Sequence, residues 1–148
     1  MAQPPLRRLI KTPKLHLGDT GIACHLLGVD AGALVGDRAL FGQLLETFVY
    51  QELRRLGSWH ERELRFHHMR DKDGMEVDIV IERGARELVG VEVKASSTIK
   101  PEDFRALTKL KAADPSRFRT GVVLYDGEAS LRFGEKLFAL PLRKLWED

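Results

Sequence analysis

Cysteine and long apolar runs are what this sequence has least of. Its single cysteine, Cys24, leaves no possibility of a disulfide bond within the chain. No apolar run approaches the roughly 20 residues that cross a bilayer, and the opening stretch MAQPPLRRLIKTPKLHL lacks the continuous apolar segment of a secretory signal. These absences predict a protein of the reducing cytoplasm that has no membrane partner.

An excess of one sign of charge is also absent. The chain has 24 lysines and arginines against 22 acidic residues, for a formal net charge of +2. Any affinity for nucleic acid must therefore come from how the charge is distributed. A GxxxxGK[ST] loop does not occur either, which excludes a P-loop ATPase within this chain.

The length and composition are those of one globular domain, because 148 residues with 43% hydrophobic and 31% charged side chains can bury a single core. Residues 1–17, which include Pro4, Pro5 and Pro13, are predicted to form an arm or a linker remnant. Residues 18–148 are predicted to form the domain. Nothing in the composition indicates an oligomeric state.

Hydrophobic periodicity predicts a mixed α/β fold in which helices flank a central sheet. The predicted helices are a short one that begins at Asp19 or Thr20 and ends near Gly28, a long one that ends at Gly57, and a third over residues 101–113. The predicted strands are residues 63–69, 75–82, 87–94 and 120–127, and a further strand and a short helix are expected near the end.

The stretch MEVDIVIERGARELVGVEVK reads as a β-hairpin with acidic residues inside its strands. Alternation places Met75, Val77, Ile79 and Ile81 on one face and Asp78 on the other. A loop of odd length pairs Arg83 with Glu87 and brings Asp78 opposite Glu92, whereas a two-residue loop would place the two acids on opposite faces.

Two carboxylates opposed across a hairpin lie about 5 Å apart and repel each other by roughly 3 kcal/mol at an effective dielectric of 20. A divalent cation removes that repulsion, and oxygen ligands are those that Mg²⁺ prefers. Lys94 lies on the same face as Glu92 and could position a water molecule or stabilise charge on a phosphate. A simpler interpretation stays open, in which these residues are exposed on a half-buried hairpin with a Glu–Lys pair worth less than about 1 kcal/mol.

An acid, a turn and then Glu92-Val93-Lys94 resemble the PD-(D/E)XK nuclease superfamily. More narrowly, the chain resembles the domain-of-unknown-function 4143 family, which commonly forms the C-terminal half of AAA-type ATPases. The stretches that carry this resemblance are KTPKLHLGDTGIACHLLG, GQLLETFVYQEL, RFHHMRDKDGMEVDIVIE and GVEVKASSTIKPEDFRALTKL. The resemblance implies a restriction-endonuclease-like αβββαβ core and a nuclease-like hydrolase that acts on nucleic acid, with DNA favoured over RNA. Its other expected partner is an AAA-type ATPase, either fused or in trans.

The resemblance also assigns roles to residues. Asp78 and Glu92 would hold Mg²⁺ or Mn²⁺, with Glu46 as a third acid and the Val93 carbonyl as a further ligand. Lys94 would complete the catalytic set. On the helical wheel, however, a second acid of the same helix, Glu52, lies within the apolar stripe, whereas Glu46 lies at its margin; Glu46 is favoured for the metal, and Glu52 is expected to be a structural partner.

Basic residues near the hairpin are candidates for phosphate contacts. They are Arg70 and Lys72 beside the turn, and Arg105 and Lys109 at i,i+4 on the following helix, although a solvated surface is the favoured interpretation of all four.

The sequence also departs from the superfamily pattern. Val77 replaces the proline before the first acid, and no Gln-x-x-x-Tyr follows Lys94. These departures leave open a non-catalytic DNA-binding, docking or regulatory module for the ATPase.

Overall fold

The computed structural model describes residues 13–147. Its helices are α1 (Thr20–Leu27), α2 (Ala31–Gly36), α3 (Arg38–Gly57) and α4 (Arg105–Ala113), and its strands are β1 (Leu64–Arg70), β2 (Glu76–Arg83), β3 (Glu87–Lys94), β4 (Phe118–Tyr125), β5 (Leu131–Gly134) and β6 (Leu137–Pro141). Short 3₁₀ turns occupy Pro101–Phe104 and Leu142–Leu145. Most of the arm predicted at residues 1–17 lies outside the described residues. None of the helices within residues 13–147 combines the length and the apolarity needed to cross a membrane.

The strands form one mixed sheet in the order β1-β2-β3-β4-β6-β5. Strands β1, β2 and β3 pair antiparallel, β4 pairs parallel with both β3 and β6, and β5 returns antiparallel to β6. From α3 to β4 the chain order is helix, three strands, helix, strand. The prediction of an α/β protein with a mixed sheet flanked by helices is therefore confirmed.

The apolar core has two layers, one on each face of the sheet. Leu107 and Leu110 of α4 pack on one face, and Val49 and Leu53 of α3 pack on the other. Gly90 on β3 is needed for the close approach of α4, because a Cβ atom there would lie 2.6 Å from Leu107 Cδ2 and 2.9 Å from Leu110 Cδ2.

Aspartate caps determine where the first three helices begin. The side chains of Asp19, Asp30 and Asp37 each accept a hydrogen bond from the backbone N–H three residues further on. The predicted first helix is confirmed, with Asp19 as its cap and Gly28 ending it at φ 66°. The six-residue helix α2 was not predicted.

The register of the β2–β3 hairpin agrees with the sequence prediction. Arg83 pairs with Glu87, and the ladder continues inward to Ile79 paired with Val91. Gly84 begins the intervening loop at φ 58°, in the left-handed region that glycine tolerates. The paired residues end at Ile79 and Val91, so the predicted pairing of Asp78 with Glu92 is not part of the ladder.

The predicted alternation along β2 is wrong between Val77 and Ile79. Val77 packs with Val80 beneath α4, whereas Ile79 packs on the α3 side. The β1–β2 pairing is irregular at the adjacent point, between His67 and Met69, which is where a bulge shifts the side chains by one residue. Next to this irregularity, the Asp78 side chain lies near enough to Glu46 of α3 for one lysine, Lys14, to contact both.

Candidate functional site

Asp78 lies where the ladder between β2 and β3 ends. Its Oδ2 accepts a hydrogen bond from the Val93 backbone N–H at 3.0 Å, so a side chain continues the pairing that backbone groups would otherwise make. Its Oδ1 lies 3.4 Å from the Lys14 Nζ atom. The carboxylate is thus fixed between β3 and the segment that precedes α1.

Glu46 of α3 and Glu76 at the start of β2 join Asp78 around the same ammonium group. Lys14 Nζ lies 2.5 Å from Glu46 Oε1 and 2.8 Å from Glu76 Oε1. Burial raises the pKa of Glu46, and the negative charges of Asp78 and Glu76 add to this, against the opposing effect of Lys14. Burial alone would lower the pKa of Lys14, but its hydrogen bonds to Glu46 and Glu76 outweigh burial and raise it.

Glu92 of β3 is the most deeply buried acid of the site, with 5% of its surface exposed. Its Oε1 atom has no hydrogen-bond partner among the described residues. Burial, and then the nearby charge of Asp78, raises the pKa of Glu92 to about 9. A buried carboxyl oxygen without a donor is costly, so a ligand that supplies positive charge would be stabilised here.

Lys94 lies beside Glu92, at the end of β3. Its Nζ atom is 3.8 Å from Glu92 Oε2 and 3.9 Å from Asp103 Oδ1, which is too far for a hydrogen bond to either. The ammonium group is partly exposed and can therefore reach a bound anion without giving up a short internal contact.

Glu92 and Lys94 open onto a cavity of about 340 Å³ between β3 and the start of α4. Five acidic and two basic side chains line it: Asp73, Glu76, Glu92, Glu102 and Asp103 against Lys94 and Arg105. A polyanion alone would be repelled by this lining, whereas a cation would be attracted.

The structure brings four of the predicted site residues into this region. Glu46 contacts Lys14 on the α3 side, Glu92 and Lys94 face the cavity beside α4, and Asp78 lies between these two groups. Val93 takes part in the site through its backbone N–H, which donates a hydrogen bond to Asp78. Asp78 is therefore the residue that both halves of the site share.

The predicted phosphate-binding residues are in different situations. Arg105 lines the cavity beside Lys94, and Arg70 lines a neighbouring cavity of about 600 Å³ that includes Lys14 and Glu46. Lys72 is exposed on the turn. Lys109 forms ion pairs with Asp71 and Asp73, so its charge is already partly neutralised.

Sequence reasoning missed Lys14 and Glu76. Glu76 precedes Asp78 by two residues and so could share its side of the strand, which was an available signal. Lys14 had no such signal, because only tertiary structure brings it to the acids. Glu52 accepts a hydrogen bond from Trp146 Nε1 at 3.1 Å and pairs with Arg55, which agrees with the structural role expected for it.

The oxygen donors suit a hard divalent cation, but their present arrangement is incomplete. Among residues 13–147, no three His, Cys, Asp or Glu side chains are placed to hold a metal ion as they stand. The unpartnered Glu92 Oε1 beside Asp78 is the feature that fits Mg²⁺ or Mn²⁺. Glu46 is within reach of the same region but is engaged by Lys14.

Two uncharacterised mycobacterial proteins are similar in sequence to this chain. They are Mb2031c of Mycobacterium bovis and Rv2008c of Mycobacterium tuberculosis, each 27% identical over 135 residues. The aligned region is 91% of this chain but only 29% of each relative. The chain therefore spans less than a third of the length of these relatives.

A chain of the Thermococcus gammatolerans assembly of McrB AAA+ hexamers with bound McrC is similar in structure, with a TM-score of 0.48 and 16% identity. The similar region covers 66% of this chain and 26% of that one, and a similarity of this size does not establish a shared fold. The sequence match to a family is more extensive. Residues 41–145 match the family described as "Domain of unknown function (DUF4143)", and the chain belongs to that family.

Proposed function

We propose that this chain is a metal-dependent, nuclease-like domain with a restriction-endonuclease-like core, which acts on nucleic acid, DNA in the first instance. The observation that carries the proposal is the Glu92 carboxyl group, which is buried beside Asp78 with Oε1 unpartnered among the described residues. Its support from sequence is the Asp78, Glu92-Val93-Lys94 pattern of the PD-(D/E)XK nucleases. The order of helices and strands from α3 to β4 is compatible with such a core.

In this proposal Asp78 and Glu92 hold Mg²⁺ or Mn²⁺, with Glu46 and the Val93 carbonyl as further ligands. A cation at this position would polarise a phosphoryl oxygen and lower the pKa of a water molecule. Glu92 has to release its proton before it can be a ligand, and the Val93 N–H keeps the Asp78 carboxylate oriented.

Lys94 has a separate role in this proposal. Its ammonium group is exposed enough to donate hydrogen bonds to a non-bridging phosphate oxygen or to the attacking water. Arg105, on the same cavity, would contact the next phosphate of the strand.

A second candidate function is a non-catalytic module that binds DNA or docks on an AAA-type ATPase. The observation that favours it is the position of Lys14, whose ammonium group already supplies a positive charge to Glu46, Glu76 and Asp78. In a purely structural acid cluster such a lysine would be a permanent counter-ion. Association with an ATPase, fused or in trans, is proposed from the family resemblance for both candidates.

A cleavage assay on duplex DNA and on RNA, with Mg²⁺, with Mn²⁺ and with EDTA, separates the candidates. We expect cleavage that requires the metal and falls by at least about 100-fold in Asp78→Asn, since removal of a preorganised charge commonly has that effect on rate. The matched control is Glu128→Gln, an exposed acid in the loop after β4. Metal binding without cleavage would favour the non-catalytic module, and the absence of both metal binding and cleavage would contradict the metal-dependent proposal.

A further inference from the structure

Lys14 contacts three acidic side chains that come from two different elements. Its Nζ atom lies 2.5 Å from Glu46 of α3, and 2.8 Å and 3.4 Å from Glu76 and Asp78 of β2. A quarter of the Lys14 side chain is exposed, and the three carboxylates range from 16% to 29% exposed. One ammonium group thus faces three carboxylates, so the cluster keeps an excess of negative charge.

The buried Glu92 carboxyl group indicates that this cluster can accept more positive charge than Lys14 provides. Only 5% of the surface of Glu92 is exposed, and no hydrogen-bond donor within residues 13–147 contacts its Oε1 atom. The nearby negative charge of Asp78 adds to burial in raising the pKa of Glu92. The contacts of the Lys14 ammonium group are to Glu46, Glu76 and Asp78, so among the described residues it does not satisfy Glu92.

The segment that carries Lys14 is held on α3 by a few polar and aromatic contacts. His16 Nδ1 lies 3.1 Å from Thr47 Oγ1, the His16 ring stacks on Tyr50 at 4.2 Å, and Gln51 Nε2 donates to the Leu17 carbonyl at 2.8 Å. Leu15, between these contacts, is 90% exposed. Leu17 is 50% exposed, so neither leucine of residues 14–17 is buried, and the stacking of His16 on Tyr50 is the main apolar contact that detachment of the segment would break.

We propose that Lys14 occupies a cation position in this acid cluster, and that a divalent cation held by Asp78 and Glu92, with Glu46 as a further ligand, binds only when the Lys14 ammonium group moves away from Glu46 and Asp78. The Lys14 ammonium group and the metal ion then compete as cations for the same carboxylate oxygens. Glu76 is an additional acid of the site. Residues 13–17 form a strap whose detachment makes the site available. This inference rests on the proposed metal-dependent function and adds its regulation.

Binding of Mn²⁺, measured by electron paramagnetic resonance of the free ion, tests the competition directly. We expect Lys14→Met, which keeps an unbranched side chain one atom shorter and without the charge, to bind Mn²⁺ at least tenfold more tightly than wild type. Lys14→Arg, which keeps the charge, should bind like wild type, and so should Lys72→Met, which removes an exposed lysine of the β1–β2 turn. Lys14→Met that binds no more tightly than wild type overturns the inference while leaving the proposed function intact.

Acetylation of lysines in the wild-type protein, followed by mass spectrometry, is a second readout that needs no variant. Saturating Mn²⁺ should raise the acetylation rate of Lys14 at least fivefold and leave that of Lys72 unchanged. If Mn²⁺ binds and the acetylation rate of Lys14 does not change, the competition is overturned but the proposed function is not. If neither wild type nor Lys14→Met binds Mn²⁺, the proposed metal-dependent function fails and the competition fails with it.

Discussion

Glu92 is a buried acid whose position costs stability, and this cost indicates a functional role. A carboxyl group at 5% exposure normally pairs with a cation or accepts several hydrogen bonds, yet Oε1 has neither among residues 13–147 and the Lys94 ammonium group is 3.8 Å from Oε2. Glutamine or an apolar residue would avoid this cost. A cation bound between Asp78 and Glu92, as we propose, would explain why an acid occupies the position.

Replacing Glu92 with glutamine, its neutral isostere, should change how the free energy of unfolding depends on pH. Because folding raises the pKa of Glu92 from 4.5 to about 9, the native state keeps a proton that the unfolded state releases within that window. The free energy of unfolding therefore falls as the pH rises from 4.5 to 9, and Glu92→Gln should remove this fall.

The measurement is urea unfolding in EDTA at pH 5 and pH 8.5. We expect Glu92→Gln to be more stable than wild type by more than about 1 kcal/mol at pH 8.5, since one unit of pKa corresponds to about 1.4 kcal/mol, with little difference at pH 5. Glu102→Gln, at an exposed acid of the same cavity, is the matched control. An equal effect of Glu92→Gln at both pH values would show that the native carboxyl group is not held protonated.

At the scale of elements, the sequence predicted most of what positions the site. The apolar periodicity of α3 and the alternation of β3 were sufficient for those elements, and an odd loop centred on Ala85 was sufficient for the hairpin register. The choice of Glu46 over Glu52 followed from the family resemblance of LLETFVYQEL, and the place of Glu52 within the apolar stripe of α3 was the reason to expect a structural role for it.

The features that were not predicted depend on tertiary contacts. The irregularity at His67 and Met69 is set by pairing with a neighbouring strand, and it moves Val77 to the α4 side. Helix α2 is short and contains two glycines, so its periodicity was too weak to detect. Lys14 is separated from Asp78 by 64 positions, and no local pattern relates the two.

Gly90 provides a test of how closely α4 packs on β3. We expect Gly90→Ala to lower the free energy of unfolding by about 1–3 kcal/mol, because the added Cβ would overlap Leu107 and Leu110, both fully buried. Gly42→Ala, in α3 where nothing lies within 4 Å of the added atom, should instead stabilise by about 0.5–1 kcal/mol. Urea unfolding of both variants checks the pair, and a Gly90→Ala protein as stable as wild type would contradict the close packing.

At the scale of the whole molecule, charge is nearly balanced but unevenly placed. Acidic side chains concentrate around the cavity near Glu92, while the overall formal charge is +2. An acidic site in a nearly neutral protein is more compatible with a bound cation that then contacts phosphate than with direct recognition of a polyanion. The relatives are more than three times the length of the aligned region, so this domain is one part of what those proteins contain.

The most direct test of the central claim is anomalous diffraction from crystals soaked in MnCl₂, using wild type, Lys14→Met and Asp78→Asn. We expect an anomalous peak within about 2.0–2.5 Å of carboxyl oxygens of both Asp78 and Glu92. The peak should be at least as strong in Lys14→Met as in wild type and should be lost in Asp78→Asn. A Lys14→Met crystal with no Mn²⁺ at these oxygens would show that Asp78 and Glu92 do not form a metal site.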